Sequence, residues 1–242
     1  MSRSPRRMMA ACRPWGAVLL LCLPLWGCSP TRAPAKEPAT AGFELTDVAK
    51  TDLNLFLETN RREVMGHLRT LVDKLYQRNP FQLRRSRLPS RPDNLQRMFD
   101  RFHNWKFSEL NDITGVDCIQ LAFDETFQGD RVLALGAGLG SMLQASYNNK
   151  REFYVLDSLD PQKLYNSARN LELVAWKLSR TRTSQGELFL LSNEVNSPTP
   201  NLSFERQFGK MIAIQDSTAR VVAQKTRRLI KDTLQFLVFL PI

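Results

Sequence analysis

Three parts of this sequence combine residue types and spacings that could do chemistry. Gly136, Gly138 and Gly140 follow the apolar run Val132-Leu133-Ala134-Leu135. If that run were a strand ending in a turn, the bare backbone could approach a nucleotide cofactor. Asp157, after Phe153-Tyr154-Val155-Leu156, would then stand about 20 residues on, where an acid can hold ribose hydroxyls. Arg84, Arg85 and Arg87, with Arg91, Arg97 and Arg101, crowd a second stretch, interleaved with Phe81, Trp105 and Phe107. Guanidinium groups pair with phosphates and aromatics settle at interfaces, so Arg84, Arg85 and Arg87 are candidate ligands for an anionic headgroup. The third feature is Cys28, whose thiol follows an apolar run and a small residue. Metal and hydrolytic chemistry have less to build on. His67 and His103 are the two histidines, they have no paired spacing, and no Gly-x-Ser-x-Gly elbow is present. The expectation is no metal site and no cofactor.

Arg3, Arg6, Arg7 and Arg13 precede Ala17-Val18-Leu19-Leu20-Leu21-Cys22-Leu23-Pro24-Leu25, and no acid interrupts them. Positive charge followed by a short apolar core is the order of an export signal, and the core is too short to span a bilayer. Leu25-Trp26-Gly27-Cys28 resembles the lipobox of bacterial lipoproteins. Leu25 and Gly27 match it, and Trp26 stands where a smaller residue is usual. The resemblance implies removal of residues 1–27 and acylation of Cys28 on its sulfur and amine. Ser29 after the cysteine implies sorting to the outer membrane. Residues 28–42 hold three prolines and no apolar periodicity, which predicts a semi-extended tether. Lys74-Leu75-Tyr76-Gln77-Arg78-Asn79-Pro80 and Leu156-Asp157-Ser158-Leu159-Asp160-Pro161 are also similar to segments of uncharacterised proteobacterial lipoproteins, which implies a location and no activity.

Residues 131–140 resemble the first motif of class I methyltransferases. That resemblance implies S-adenosylmethionine over Gly136, Gly138 and Gly140, with Asp157 on the ribose. Ala134 departs from the motif, which carries an acid there. Only about 100 residues follow Gly136, too few for the remaining strands and their helices. An exported protein would not meet that cofactor. The competing reading is a helix over residues 130–147, with Val132, Leu135, Leu139, Met142 and Ser146 as one stripe. Gly136 and Gly140, four apart, would then admit a neighbouring helix backbone.

The elements that must position these groups read as helices. The chain of 242 residues carries a net charge of +10, which falls to +6 once the four arginines of residues 1–27 are removed. About 200 residues remain for residues 43–242, enough for one domain with a real core. Cys12 and Cys22 leave with the signal, so Cys118 is left without a disulfide partner and reads as a buried apolar residue. Leu57, Val64, Leu68, Leu71 and Leu75 stripe a helix over residues 51–78, capped by Thr51 and stopped by Asn79-Pro80. Residues 81–92 read as a basic loop, followed by helices over 92–102 and 114–127. Asp160 and Pro161 open a helix over 160–180, with Leu164, Ala168, Leu171, Ala175 and Leu178 inward. Residues 181–201 are serine- and proline-rich around Leu188-Phe189-Leu190-Leu191, and a last helix spans 203–232. Lys225, Arg227, Arg228 and Lys231 precede an apolar tail, residues 234–242.

The fold expectation is therefore an all-α, single-domain helical bundle behind a signal peptide and tether. The functional expectation is a lipid-anchored envelope protein with a non-catalytic structural or binding role at the periplasmic face of the outer membrane. Its partners would be the membrane, through Cys28, and another envelope protein, with no nucleic acid. The alternatives are a carrier of lipid or lipopolysaccharide and, third, the methyltransferase-like enzyme.

Overall fold

The computed structural model describes residues 50–99, 104–194 and 201–238, with 228–238 as backbone only. Cys28, the signal, the tether, Arg101, His103 and the last four residues of the tail lie outside the described residues. The described chain is an all-α bundle. Two isolated antiparallel bridges, Arg182 with Leu188 and Glu194 with Asn201, are its only β pairings.

Helix α1 (Asp52–Arg78) starts where Thr51 turns extended and its Oγ1 accepts the Asn54 N–H at 3.3 Å. It ends at Asn79, whose N–H still reaches the Leu75 carbonyl at 2.8 Å. Pro80 then opens α2 (Pro80–Arg85), because the first helical position needs no N–H. The loop expected over 81–92 is corrected accordingly: its first five residues are helical, and only 86–90 bend irregularly before α3 (Arg91–Phe99). A 3₁₀ turn (Ser108–Leu110) leads to α4 (Gly115–Ala122), which is shorter than the expected 114–127. The reason is Arg131. Its Nη1 donates to the carbonyls of Ala122 (3.0 Å) and Asp124 (2.6 Å), and its Nη2 to Phe127 (2.9 Å), so a side chain completes the end of α4.

Helix α5 (Arg131–Ser146) is the centre of the bundle, packed on α4, α1, α6 and α3. Burial is not confined to the expected stripe: Ala134, Ala137 and Leu143, which lie outside it, are fully buried too. Helix α6 (Pro161–Arg180) has Asp160 accepting the Gln162 N–H at 2.8 Å, with Pro161 at the first position. Helix α7 (Ser203–Val238) lies along α6 and α1. It runs six residues beyond the expected end at 232 and takes in the first part of the apolar tail.

The glycines of α5 have separate reasons. A Cβ on Gly138 would meet the Ile119 backbone nitrogen at 2.8 Å and the Gly115 carbonyl oxygen at 2.9 Å. Gly136 faces Met98 and Val72 side chains, and Gly140 the Trp105 ring. The close helix approach expected at Gly136 and Gly140 therefore occurs at Gly138, against α4. The strand and glycine turn required by the cofactor reading are not formed, because residues 131–140 are buried helix.

Candidate functional site

The described body begins at one wall of an apolar groove of about 760 Å³. Leu53 and Leu57 of α1 form one side, Val221 and Val222 of α7 another, and the loop residues Val155 and Leu159 the third. Lys225 and Thr226 stand at its rim.

The loop is held open by its own polar bonds. Phe153 is fully buried, its N–H donates to Glu58 Oε1 at 2.9 Å, and its ring lies 6.2 Å from that of Tyr147. One turn later Asp157 Oδ2 accepts the Tyr154 N–H at 3.0 Å, while the Asp157 N–H reaches back to the Tyr154 carbonyl at 2.9 Å. Asn148 Nδ2 fixes the Ser158 carbonyl at 3.0 Å. Leu159 then turns inward, 7% exposed, before the cap of α6. Pinned on both sides, the tip holds Leu156 96% exposed and Val155 52% exposed. Leu156 and Val155 thereby extend the apolar surface of the groove.

The groove is suited to removing apolar surface from water, at about 25 cal/mol per Å² covered. Its one carboxylate, Asp157, pairs with Lys150. That bond, together with the Tyr154 N–H, holds its carboxyl below the usual range. The ribose role expected of Asp157 is thus replaced by closing a turn.

The arginines singled out in the sequence do not share one cavity. Arg84 and Arg85 are exposed on α2, Arg85 with its guanidinium 5.8 Å from the Phe81 ring centre. Arg87 and Arg97 converge on Glu109, at 3.6 and 2.6 Å, and flank a separate shallow groove of about 420 Å³ with Leu88, Asp93 and Gln96. Burial works to raise the Glu109 carboxyl, yet its own backbone N–H and Arg97 hold it below the ordinary value. Arg91 pairs with Asp73 at 3.1 Å.

His67 of α1 donates from Nδ1 to Gln207 Oε1 of α7 at 3.0 Å and so joins two helices. Cys118 is a buried free thiol pushed up to about 12 by burial, far from the thiolate that reacts. Among the described residues no three ligating side chains gather for a metal, and no helix is long and apolar enough to cross a membrane.

Sequence reasoning missed the groove because its walls come from three segments far apart in the chain. Its one local signal was the apolar run Phe153-Tyr154-Val155-Leu156, noted there only as the stretch preceding Asp157. No family model matches this chain, and neither a curated protein nor a solved structure matches it.

Proposed function

We propose that this chain is a lipid-anchored envelope protein, held through acylated Cys28 at the periplasmic face of the outer membrane, whose helical body binds rather than catalyses. The observation that carries the reading is Leu25-Trp26-Gly27-Cys28 at the end of a positive, then apolar, leader. The position of the groove supports it. Thr51 and Leu53 line the groove at the start of the body, so residues 29–50 are all that separate it from the acyl group. Fully extended, that segment reaches up to about 70 Å at roughly 3.3 Å per residue. With each buried methylene worth about 0.8 kcal/mol, two or three acyl chains anchor firmly.

The groove's occupant, on this reading, is the apolar face of another envelope protein. The second reading, a carrier of lipid or lipopolysaccharide, is favoured by the same apolar walls with Lys225 at the rim. Mass spectrometry of the mature protein from a Gram-negative envelope tests the anchor. The expected amino terminus is a diacylglyceryl Cys28, lost in Cys28→Ser. Recovery of residues 1–27 or an unmodified Cys28 overturns the proposal. Co-purification with the full-length Cys28→Ser protein separates the two occupants. A stoichiometric protein released by Leu156→Asp supports the binding module, and lipid released by the same change supports the carrier.

A further inference from the structure

Helix α7 outruns the two helices that pack on it. Asn60 of α1 donates to Thr218 Oγ1 at 2.9 Å, and His67, later in α1, bonds Gln207, earlier in α7, so the two run antiparallel. Arg169 of α6 donates to Asp216 Oδ2 at 2.7 Å, while Pro161 and Gln162 border one recess with Ala223, again antiparallel. Helix α1 starts at Asp52 and α6 at Pro161, each about two turns before those contacts. Both starts are therefore level with α7 residues near Thr226. The backbone of α7 nonetheless stays helical to Val238. At roughly 1.5 Å per residue, residues 227–238 carry it about 18 Å past the starts of α1 and α6.

The amphipathic pattern does not stop where the cover from α1 and α6 does. Along the packed part, Phe204, Phe208, Met211, Gln215 and Val222 form the buried row. Steps of three and four carry that row to the register positions of Leu229, Thr233, Phe236 and Leu237, with Ile230 and Leu234 beside it. The opposite register positions hold Arg227, Arg228 and Lys231. With Lys225 they set four cations against one acid, Asp232, over residues 225–238. Among the described residues no helix is long and apolar enough to cross a membrane, so a helix of this pattern suits a surface rather than a span.

We propose that residues 225–238 of α7 form an interfacial helix that lies on an anionic lipid surface. Such a surface answers both sides of the pattern: phosphate headgroups take the cations, and the apolar row enters the boundary with the acyl chains. A second copy of this chain would answer the apolar row alone, and would set two basic helices side by side with little acid to offset them. Thr51, where the chain from Cys28 enters the body, borders the same groove as Lys225 and Thr226, so anchor and helix would act on one surface. The helix does not need the anchor, and it is tested without it.

The test is hydrogen exchange, read by mass spectrometry, of the full-length Cys28→Ser protein. It is measured alone, with phosphatidylcholine vesicles, and with vesicles of phosphatidylcholine and phosphatidylglycerol. Peptides from residues 227–238 separate this helix from any binding by residues 1–27. Exchange there is expected to slow about tenfold on the anionic vesicles and to change little on phosphatidylcholine alone. The triple change Arg227→Gln, Arg228→Gln and Lys231→Gln should abolish the slowing, as should Leu234→Asp with Leu237→Asp. Arg84→Gln with Arg85→Gln, on α2 beyond the other end of α1, should leave it intact. The α7 changes lie past the packed part of the helix, so the unfolding temperature should hold and a folding defect is told apart. No slowing on anionic vesicles, equal slowing on both kinds, or slowing that survives the triple change overturns the proposal. Protection that grows with protein concentration without lipid overturns it in favour of a second copy. Loss of the anchor would show in the mass of Cys28 and leave this result untouched.

Discussion

The Asp130 carboxylate caps α5 and joins it to α1. Its Oδ1 accepts the N–H groups of Val132 (2.9 Å) and Leu133 (3.0 Å), and its Oδ2 accepts the Tyr76 hydroxyl (2.7 Å). These three bonds favour the ionised form, but burial outweighs them and raises the carboxyl to about 6. Burial, then the Asp130 charge, likewise pushes the Tyr76 phenol up, so it remains the donor. A group whose folded value lies above its unfolded value, about 3.9, contributes stability in full below that lower figure and loses it as the pH rises through about 6. The shift corresponds to about 3 kcal/mol. Glu109 and Asp157, held below their ordinary values, act with the opposite sign and lose their contribution at more acid pH. Asp130→Asn keeps an acceptor for the cap and removes the titration. Its stability relative to wild type, from urea unfolding, should therefore improve by roughly 2 kcal/mol between pH 4 and pH 7. Parallel stability curves for the two proteins would show that burial does not govern this carboxylate.

At the scale of elements, α5 and α4 meet along backbone, and Gly138 decides how closely. The atoms that a Cβ on Gly138 would strike include the Ile119 nitrogen and the Gly115 oxygen, which cannot rotate away. At Gly136 the nearest atom is Met98 Sδ, the end of a flexible side chain. Alanine gains about 1 kcal/mol over glycine in helix propensity, while overpacking costs about 1–3 kcal/mol. Gly138→Ala should therefore lose about 2 kcal/mol in urea unfolding and Gly136→Ala less than half of that; equal losses would mean that α4 can shift freely. The same contrast marks what the sequence made legible. Thr51 and Asp160 announced their helices because caps are local chemistry, and Leu57 through Leu75 announced the buried face of α1 by spacing alone. The close-packed partner of each glycine was not local. Neither was the end of α4, which depends on Arg131, nor the apolar groove, which Leu53 and Val222 line from opposite ends of the described body. The hydropathy pattern locates a face, and only the packed neighbours reveal what the face touches.

Across the whole molecule, α7 is tied to the bundle by a polar cluster as well as by apolar burial. Gln215 is fully buried. Its Oε1 accepts the Tyr147 hydroxyl at 2.8 Å, and its Nε2 donates to Ser146 (3.0 Å) and Ser167 (2.6 Å). Both serines pass their own protons to helix carbonyls, Leu143 and Leu164, at 2.7 Å. Every side-chain bond of Gln215 is thus met, and its partners come from α6 and the end of α5. Burial pushes the Tyr147 phenol up, so it stays a donor that needs an acceptor. Gln215→Leu keeps the apolar volume but withdraws the Gln215 acceptor from Tyr147 and the donor from the serines. Orphaning buried polar groups costs about 1–3 kcal/mol, so a loss of about 2 kcal/mol is expected. For a body of this size that is a fall of roughly 4–8 °C in melting temperature. Tyr147→Phe on its own strands the Gln215 carbonyl and should also destabilise. Together the two changes remove both halves of one bond, so the double variant should lose clearly less than the sum of the single losses. Strict additivity would mean that the pair is not coupled. Because α7 supplies Val221 and Val222 to the groove, the coupling also bears on whether the groove keeps its α7 wall as the protein warms.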